Sequence, residues 1–348
     1  MRRAGVLAAI VVVGISVAGV AAQRGGRGGG LPPTGAIKNV RGNLHIVPGQ
    51  GGNTTVFVTD AGVVLVDTKM PGNGEAIMKQ VRTITDKPVS MIINTHSHPD
   101  HVGSNDYFQE SVRVVTHVNT QKWMKANPKY AAIPAMMPDQ TFTDKLTLGK
   151  GGDQIDLYYF GPGHTDGDAF VVFPALRAMA AGDIFAWSMG PLIDPGAGGS
   201  VVALPDTLEK ALKGIPNVDT VIEGHGMVTT WERFREFAAF NRALLDAAKA
   251  NLGKGTPANE VAATLKAKFP VFTGEELLPE MEYGGTPLSR ACLNVSVAYQ
   301  ELRGEPVTTN FSAPQCGGAA RGGGGGAGRG GPGRGAPGRG APGAPPQP

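Results

Sequence analysis

The sequence predicts a mixed α/β (α+β) fold with C-terminal helices and a disordered Gly/Pro/Arg-rich tail, and three observations carry that prediction. Short β-rich runs open the body of the chain, strands and helices then alternate, and the glycine excess is confined to the ends. Of 52 glycines in 348 residues, 15 lie in residues 317–348 and five in Arg24–Gly30. Setting those 20 aside leaves 32 glycines across the other 309 residues, an ordinary share for a globular domain.

Charge has the same address. The formal net charge is +3, but Arg2, Arg3, Arg24, Arg27, Arg321, Arg329, Arg334 and Arg339 lie in end segments that hold no acidic residue. Removing those eight positive charges leaves the body at −5. An acidic body without a basic stripe gives no reason to expect nucleic acid as a partner. The expected partner is a small-molecule substrate, and the sequence leaves the oligomeric state open.

Residues 1–22 read as an export signal. Met1-Arg2-Arg3 is a positive start, Ala4–Val20 is apolar, and Val20-Ala21-Ala22 supplies the small residues of a cleavage site. The mature chain is therefore expected in the periplasm or secreted, with membrane attachment only if the segment stays uncleaved. Export permits a disulfide, and Cys292 and Cys316 are the one pair available; spacing alone does not decide whether they bond.

Residues 23–42 read as a flexible linker and 43–251 as the catalytic domain. Leu44–Val47, Asn53–Val58 and Gly62–Asp67 form a β-meander, and Gly72–Asp86 an amphipathic helix with Ile77, Met78, Val81 and Ile84 on one side. Val89–Ile93 is a buried strand. It delivers His96-Ser97-His98-Pro99-Asp100-His101, where Pro99 forbids a continuing central strand and disfavours helix at His98, so the histidines are expected on a loop leaving the strand. Val112–Thr116 is a strand, Asn119–Ala126 a helix and Ala131–Pro138 irregular; Ile155–Phe160, Ala169–Phe173 and Ala178–Ala181 are further strands. Asp206, with Glu209 three positions on, predicts a capping box for the next helix. The strand Thr220–Ile222 precedes a long helix from Thr229 to about Asn251. Residues 252–306 form a helical extension and 307–348 the disordered tail.

The chemistry sits at the strand ends. His96, His98, His101, His164 and His225, five of the seven histidines, follow predicted strands, and so do Asp100 and Asp183. Imidazoles and carboxylates suit zinc and other first-row divalent metals, and one short loop offering three imidazoles and a carboxylate is hard to explain by packing. Those five histidines and two aspartates exceed one tetrahedral zinc, which argues for two metals roughly 3.5–4 Å apart with a bridging hydroxide. His45 and His117 read as structural. Trp187, Met189, Pro191, Met136 and Met137 read equally as pocket lining or as core.

The loop Thr95-His96-Ser97-His98-Pro99-Asp100-His101-Val102-Gly103, the turn Gly163-His164-Thr165, the strand end Ala181-Gly182-Asp183 and the turn Gly224-His225-Gly226 stand in the order of the metallo-β-lactamase superfamily, which the span from Asn43 to Asn251 resembles. The resemblance implies a four-layer αβ/βα sandwich with the metals at its edge. It implies His96, His98 and His164 as ligands of one metal, Asp100, His101 and His225 as ligands of the other, and Asp183 bridging. Asp100 would also orient the hydroxide or relay a proton, and Asp67 would support the loop from behind. The implied cofactors are two Zn2+, with iron or manganese as alternatives. Asp183 stands where the similar lactamase subclass has Cys, which points to the larger hydrolase branch containing thioester, lactone and phosphoester hydrolases. The function expected is an exported zinc-dependent hydrolase whose bridging hydroxide attacks an ester-, lactone-, thioester- or amide-type bond. True β-lactamase activity, a mono-iron sulfur dioxygenase and a non-catalytic metal-stabilised binding protein remain the rival readings.

Overall fold

The structure, a computed structural model, describes residues 33–108, 111–275, 285–307 and 316. The predicted export signal, and the predicted tail apart from Val307 and Cys316, lie outside these residues. The alternation of large aliphatic side chains organises both sheets. The first contains β1 (Lys38–Arg41), β2 (Leu44–Val47), β3 (Thr54–Val58), β4 (Val63–Val66), β5 (Val89–Asn94), β6 (Arg113–His117) and β7 (Gln140–Phe142), in that order across the sheet. Pairing is antiparallel up to β4 and parallel from β4 to β7. The second holds β8 (Lys145–Leu148), β9 (Ile155–Tyr158), β10 (Phe170–Phe173), β11 (Ala178–Ala180), β12 (Thr220–Ile222) and β13 (Val228–Thr230), all antiparallel except β11 with β12.

Period-two alternation sends the side chains of the central strands to two cores. Phe57, Val64 and Val66 meet Leu157, Val171 and Phe173 between the sheets, where the Phe57 and Phe173 rings lie 5.0 Å apart. On the far side of the first sheet Val56, Val63 and Leu65 pack on α1 (Gly74–Val81) through Ile77 and Val81. Beyond the second sheet, Phe170, Val172 and Val221 pack on α5 (Leu204–Gly214), α6 (Trp231–Leu252), α7 (Ala258–Ala263) and α8 (Pro287–Leu302). The layers therefore run helix, sheet, sheet, helix, as the resemblance implies. Each fully buried Val or Phe in these layers contributes about 1.5–3 kcal/mol of transfer free energy.

Several local expectations need correction. Lys38–Arg41, placed in the linker, pairs with β2 as an edge strand. The loop after β5 contains a helical turn, α2 (Pro99–Val102), because Pro at the first helical position gives up only an N–H that would be unpaired anyway. His98 before it is extended, as a residue preceding proline should be. α1 stops at Val81 rather than Asp86, where the Thr83 hydroxyl donates to Gln80 O and the β-branched run Thr83-Ile84-Thr85 begins. Between β6 and β7 run α3 (Val118–Ala126), α4 (Pro128–Ala131) and a short turn at Pro134–Met136. Asp206 caps nothing: α5 already starts at Leu204, and the Asp206 and Glu209 carboxylates both pair with Arg242 of α6. β7, β8 and β13 have no counterpart in the sequence prediction, being short strands whose residues are largely outside the cores. Cys292 on α8 is disulfide-bonded to Cys316.

Candidate metal centre

All the predicted ligand residues gather at one edge of the sandwich, beyond the C-terminal ends of β5, β9, β11 and β12. They form two groups, His96, His98 and His164 in one and Asp100, His101, Asp183 and His225 in the other, and within each the candidate ligand atoms lie within 4.8 Å of one another.

Partners on the far side of each imidazole decide which nitrogen faces inward. Thr95 Oγ1 donates to Asp67 Oδ2 at 2.7 Å, so at 3.1 Å from His96 Nδ1 it accepts, and the His96 proton sits on Nδ1. His164 Nδ1 donates to Leu192 O, and His98 Nε2 donates to Asp194 Oδ2 at 2.8 Å. In the neutral imidazoles the remaining nitrogens, His96 Nε2, His98 Nδ1 and His164 Nε2, all present lone pairs. At His98 burial is outweighed by the hydrogen bond to Asp194 and the nearby carboxylates, which raise the pKa above its ordinary value. His98 Nδ1 and His164 Nε2 face each other at 2.9 Å, and His96 Nε2 is buried without a protein hydrogen bond. Lone pairs converging without a donor fit a cation. Burial holds His96 well below the usual imidazole range and His164 at about 4, so both are neutral.

The second group is charged. His101 Nε2 lies 3.1 Å from Asp183 Oδ1 and 3.7 Å from Asp100 Oδ2, while His225 Nε2 lies 3.3 Å from Asp183 Oδ2 and 3.1 Å from Asp100 Oδ2. Burial would depress both imidazoles, but the two carboxylates outweigh it, raising His101 well above its ordinary value and His225 to about 9. Burial likewise opposes ionisation of Asp183, yet His225 and His101 hold it well below the carboxylate range. A pair of carboxylates, Asp183 buried and Asp100 partly so, that draws positive charge this strongly suits a divalent metal, which would replace the imidazole protons.

Supporting residues make the geometry rigid. Asp67 has a left-handed backbone (φ 64°) and accepts from Thr95 N, from the Thr95 hydroxyl and from His101 Nδ1 at 2.8 Å, so it sets both His96 and His101, as the resemblance implied. Gly224 is required because a Cβ there would fall 2.2 Å from Asp183 Oδ1. Trp187 stacks on the His225 ring at 4.3 Å, on a turn held by Glu223, which accepts from the Ser188 amide and hydroxyl. Met189 and Met136 are core residues instead. His45 and His117 stay outside the cluster; His117 stacks on Tyr159 at 3.9 Å and donates to Thr143 O. Sequence reasoning missed Asp194, whose only signal is its place at the head of an Asp-Pro-Gly turn, and Leu192, which acts through a carbonyl that any residue supplies.

Residues 47–225 match the sequence profile described as the Metallo-beta-lactamase superfamily. The chain belongs to the metallo-beta-lactamase superfamily. It is a metal-dependent hydrolase of that superfamily, with His and Asp groups suited to a divalent metal. The metallo-beta-lactamase type 2 of Bacteroides fragilis is 29% identical over 188 residues, covering 52% of this chain and 70% of the relative. The 2,4-dinitroanisole O-demethylase subunit alpha of Nocardioides sp. (strain JS1661) is 27% identical over 155 residues, 43% of this chain and 46% of that protein. Among solved structures, the stereoselective inverting sec-alkylsulfatase Pisa1 from Pseudomonas sp. aligns with a TM-score of 0.58 at 15% identity, covering 80% of this chain and 51% of that one. The metallo-beta-lactamase IND-7 aligns at 0.51 and 20% identity, covering 60% and 97%. These likenesses confirm the fold.

Proposed function

We propose that this superfamily member is an exported, zinc-dependent hydrolase with a dinuclear centre that cleaves an ester-, lactone-, thioester- or amide-type bond. The observation that carries this reading is the convergence of three imidazole lone pairs directly beside the Asp100, His101, Asp183 and His225 group. His96, His98 and His164 would hold one zinc, Asp100, His101 and His225 the other, and Asp183 would serve both. The chemistry that bound zinc supplies is polarisation of the scissile carbonyl and a nucleophilic water near neutral pH.

The chain's own residues do the rest. Asp100 takes the proton of the attacking water: it is the most accessible side chain of its group, 27% exposed against 11% for His225 and less for His101 and Asp183, and so it can pass that proton to solvent. Trp187, stacked on His225, forms an apolar wall for the non-reacting part of a small-molecule substrate. Asp183 in place of the lactamase cysteine argues against β-lactams as the main substrate. Relatives named for β-lactams and for demethylation of an aryl ether, and a fold neighbour named for alkyl sulfates, make the bond type the quantity to measure.

Export is proposed from the Met1–Ala22 pattern, and the Cys292–Cys316 bond supports an oxidising compartment. The mature chain should turn over at least one of a β-lactam, lactone, thioester and phosphodiester panel, lose activity with chelator and regain it with zinc. A mature protein that binds about one iron per chain and consumes oxygen on a sulfur substrate would replace hydrolysis with the dioxygenase reading.

A further inference from the structure

The inner face of α8 reaches the metal centre through one intervening segment, residues 191–202. Asn294 Nδ2 donates to Pro191 O at 3.2 Å from a fully buried position. Eleven residues further along that segment, Val202 N donates to Glu301 Oε2 at 3.2 Å, the Ser200 hydroxyl donates to the same oxygen, and Val201 N donates to Oε1 at 2.8 Å. The segment gripped at these two points is the one that orients two imidazoles. Leu192 O fixes His164 Nδ1, Asp194 fixes His98 Nε2, and Asp194 N and Ser200 N donate to His164 O and Gly163 O at 2.8 and 2.9 Å. A Cβ on Gly199 would lie 2.1 Å from His164 O, so segment and histidine turn are in contact along their length.

We infer that α8 is a positioning element of the three-histidine group: through Asn294 and Glu301 it holds residues 191–202 in the one register that aims His98 Nδ1 and His164 Nε2 at the same point. The helix lies beyond the residues 47–225 that match the superfamily, so the C-terminal extension completes this chain's metal centre rather than adding a separate function. The inference rests on reading His96, His98 and His164 as a metal site.

The test uses the mature full-length protein and Co2+ as the metal probe, read by its visible absorption and by competition with a chelator. Asn294→Ala and Glu301→Ala should each weaken binding at the three-histidine group about 10- to 100-fold, the scale of losses when a ligand's outer partner is removed. The Asp100, His101, Asp183 and His225 group should keep its affinity. Arg242→Ala, which breaks only the surface pairs between α5 and α6, should leave both affinities unchanged and so separates positioning from general stability. Asp194→Ala breaks the final link without touching α8, and it decides the matter if the helix variants do not fold. Wild-type Co2+ spectra and affinities in Asn294→Ala and Glu301→Ala, or in Asp194→Ala, would overturn the inference alone; wild-type protein that binds no Co2+ would overturn the metal-site reading beneath it.

Discussion

Gly52 packs against the His101 imidazole, so close that a Cβ on it would sit 2.2 Å from His101 Cε1. The contact leaves no room for any side chain, and Gly52 N donates to Asp100 O at 3.0 Å, which locks the β2–β3 loop onto two candidate ligands at once. Gly52→Ala must therefore push His101 out of line. We expect it to lower metal affinity at the second group about 10- to 100-fold, measured as metal retained per chain after dialysis against a weak chelator. Metal content equal to wild type would show that the loop yields instead.

Asp67 ties Thr95 and His101 together from beneath the centre. Asp67→Ala strands three buried donors, each worth about 1–3 kcal/mol when left unpaired. The expected result is a large drop in the urea midpoint of the metal-free protein together with loss of metal. Asp67→Asn, which keeps an acceptor oxygen, should recover part of the stability; equal midpoints for the two variants would contradict the hydrogen-bond account.

Lys69 is buried, with its ammonium donating to Val47 O at 2.6 Å and Gly52 O at 2.8 Å, and burial lowers its pKa from 10.5 to about 7. Its proton is thus held less tightly in the folded state than in the unfolded chain. Below about pH 7 both states are charged and the burial cost is fully present; between pH 7 and 10.5 the native state has lost the proton first, so stability from this group rises with pH. His101 and His225 act in the opposite sense, because their raised pKa values favour the folded state at lower pH. The difference between wild type and Lys69→Met isolates the lysine: chemical denaturation of the chelated proteins from pH 6 to 10 should show the wild type gaining on the variant as pH rises. Parallel curves would remove the argument.

The Cys292–Cys316 bond closes a loop across a sequence separation of 24 residues. Replacing both cysteines with serine should cost about 2–4 kcal/mol in denaturant unfolding, the usual effect of removing a loop constraint. A midpoint equal to that of the oxidised wild type would mean that Cys316 is held by packing alone.

Some local features could not be read along the chain because their cause lies across it. Glu209 three residues after Asp206 has the spacing of a capping box, yet Arg242 of α6 draws both carboxylates to itself. Pro99 keeps His98 extended, as its place before a proline predicts, but the loop expected after it opens with a helical turn, since the missing N–H of proline is harmless at a first turn. Asp194 carries no metal-ligand motif; only the closing of residues 191–202 over the His164 turn makes it a partner of His98.

The sequence by itself determined the superfamily, the layered α/β architecture and which histidines and aspartates are candidate ligands. These depend on local signals: apolar alternation decides which face of a strand is buried, and histidines clustered beside glycines at strand ends are visible wherever the chain goes next. Only the tertiary structure decided which nitrogen of each histidine faces the site, what aims it there, and that α8 belongs to the centre. Orientation of an imidazole is set by the atom behind it, and Asp67, Leu192 and Asp194 come to stand behind His101, His164 and His98 only once distant segments pack.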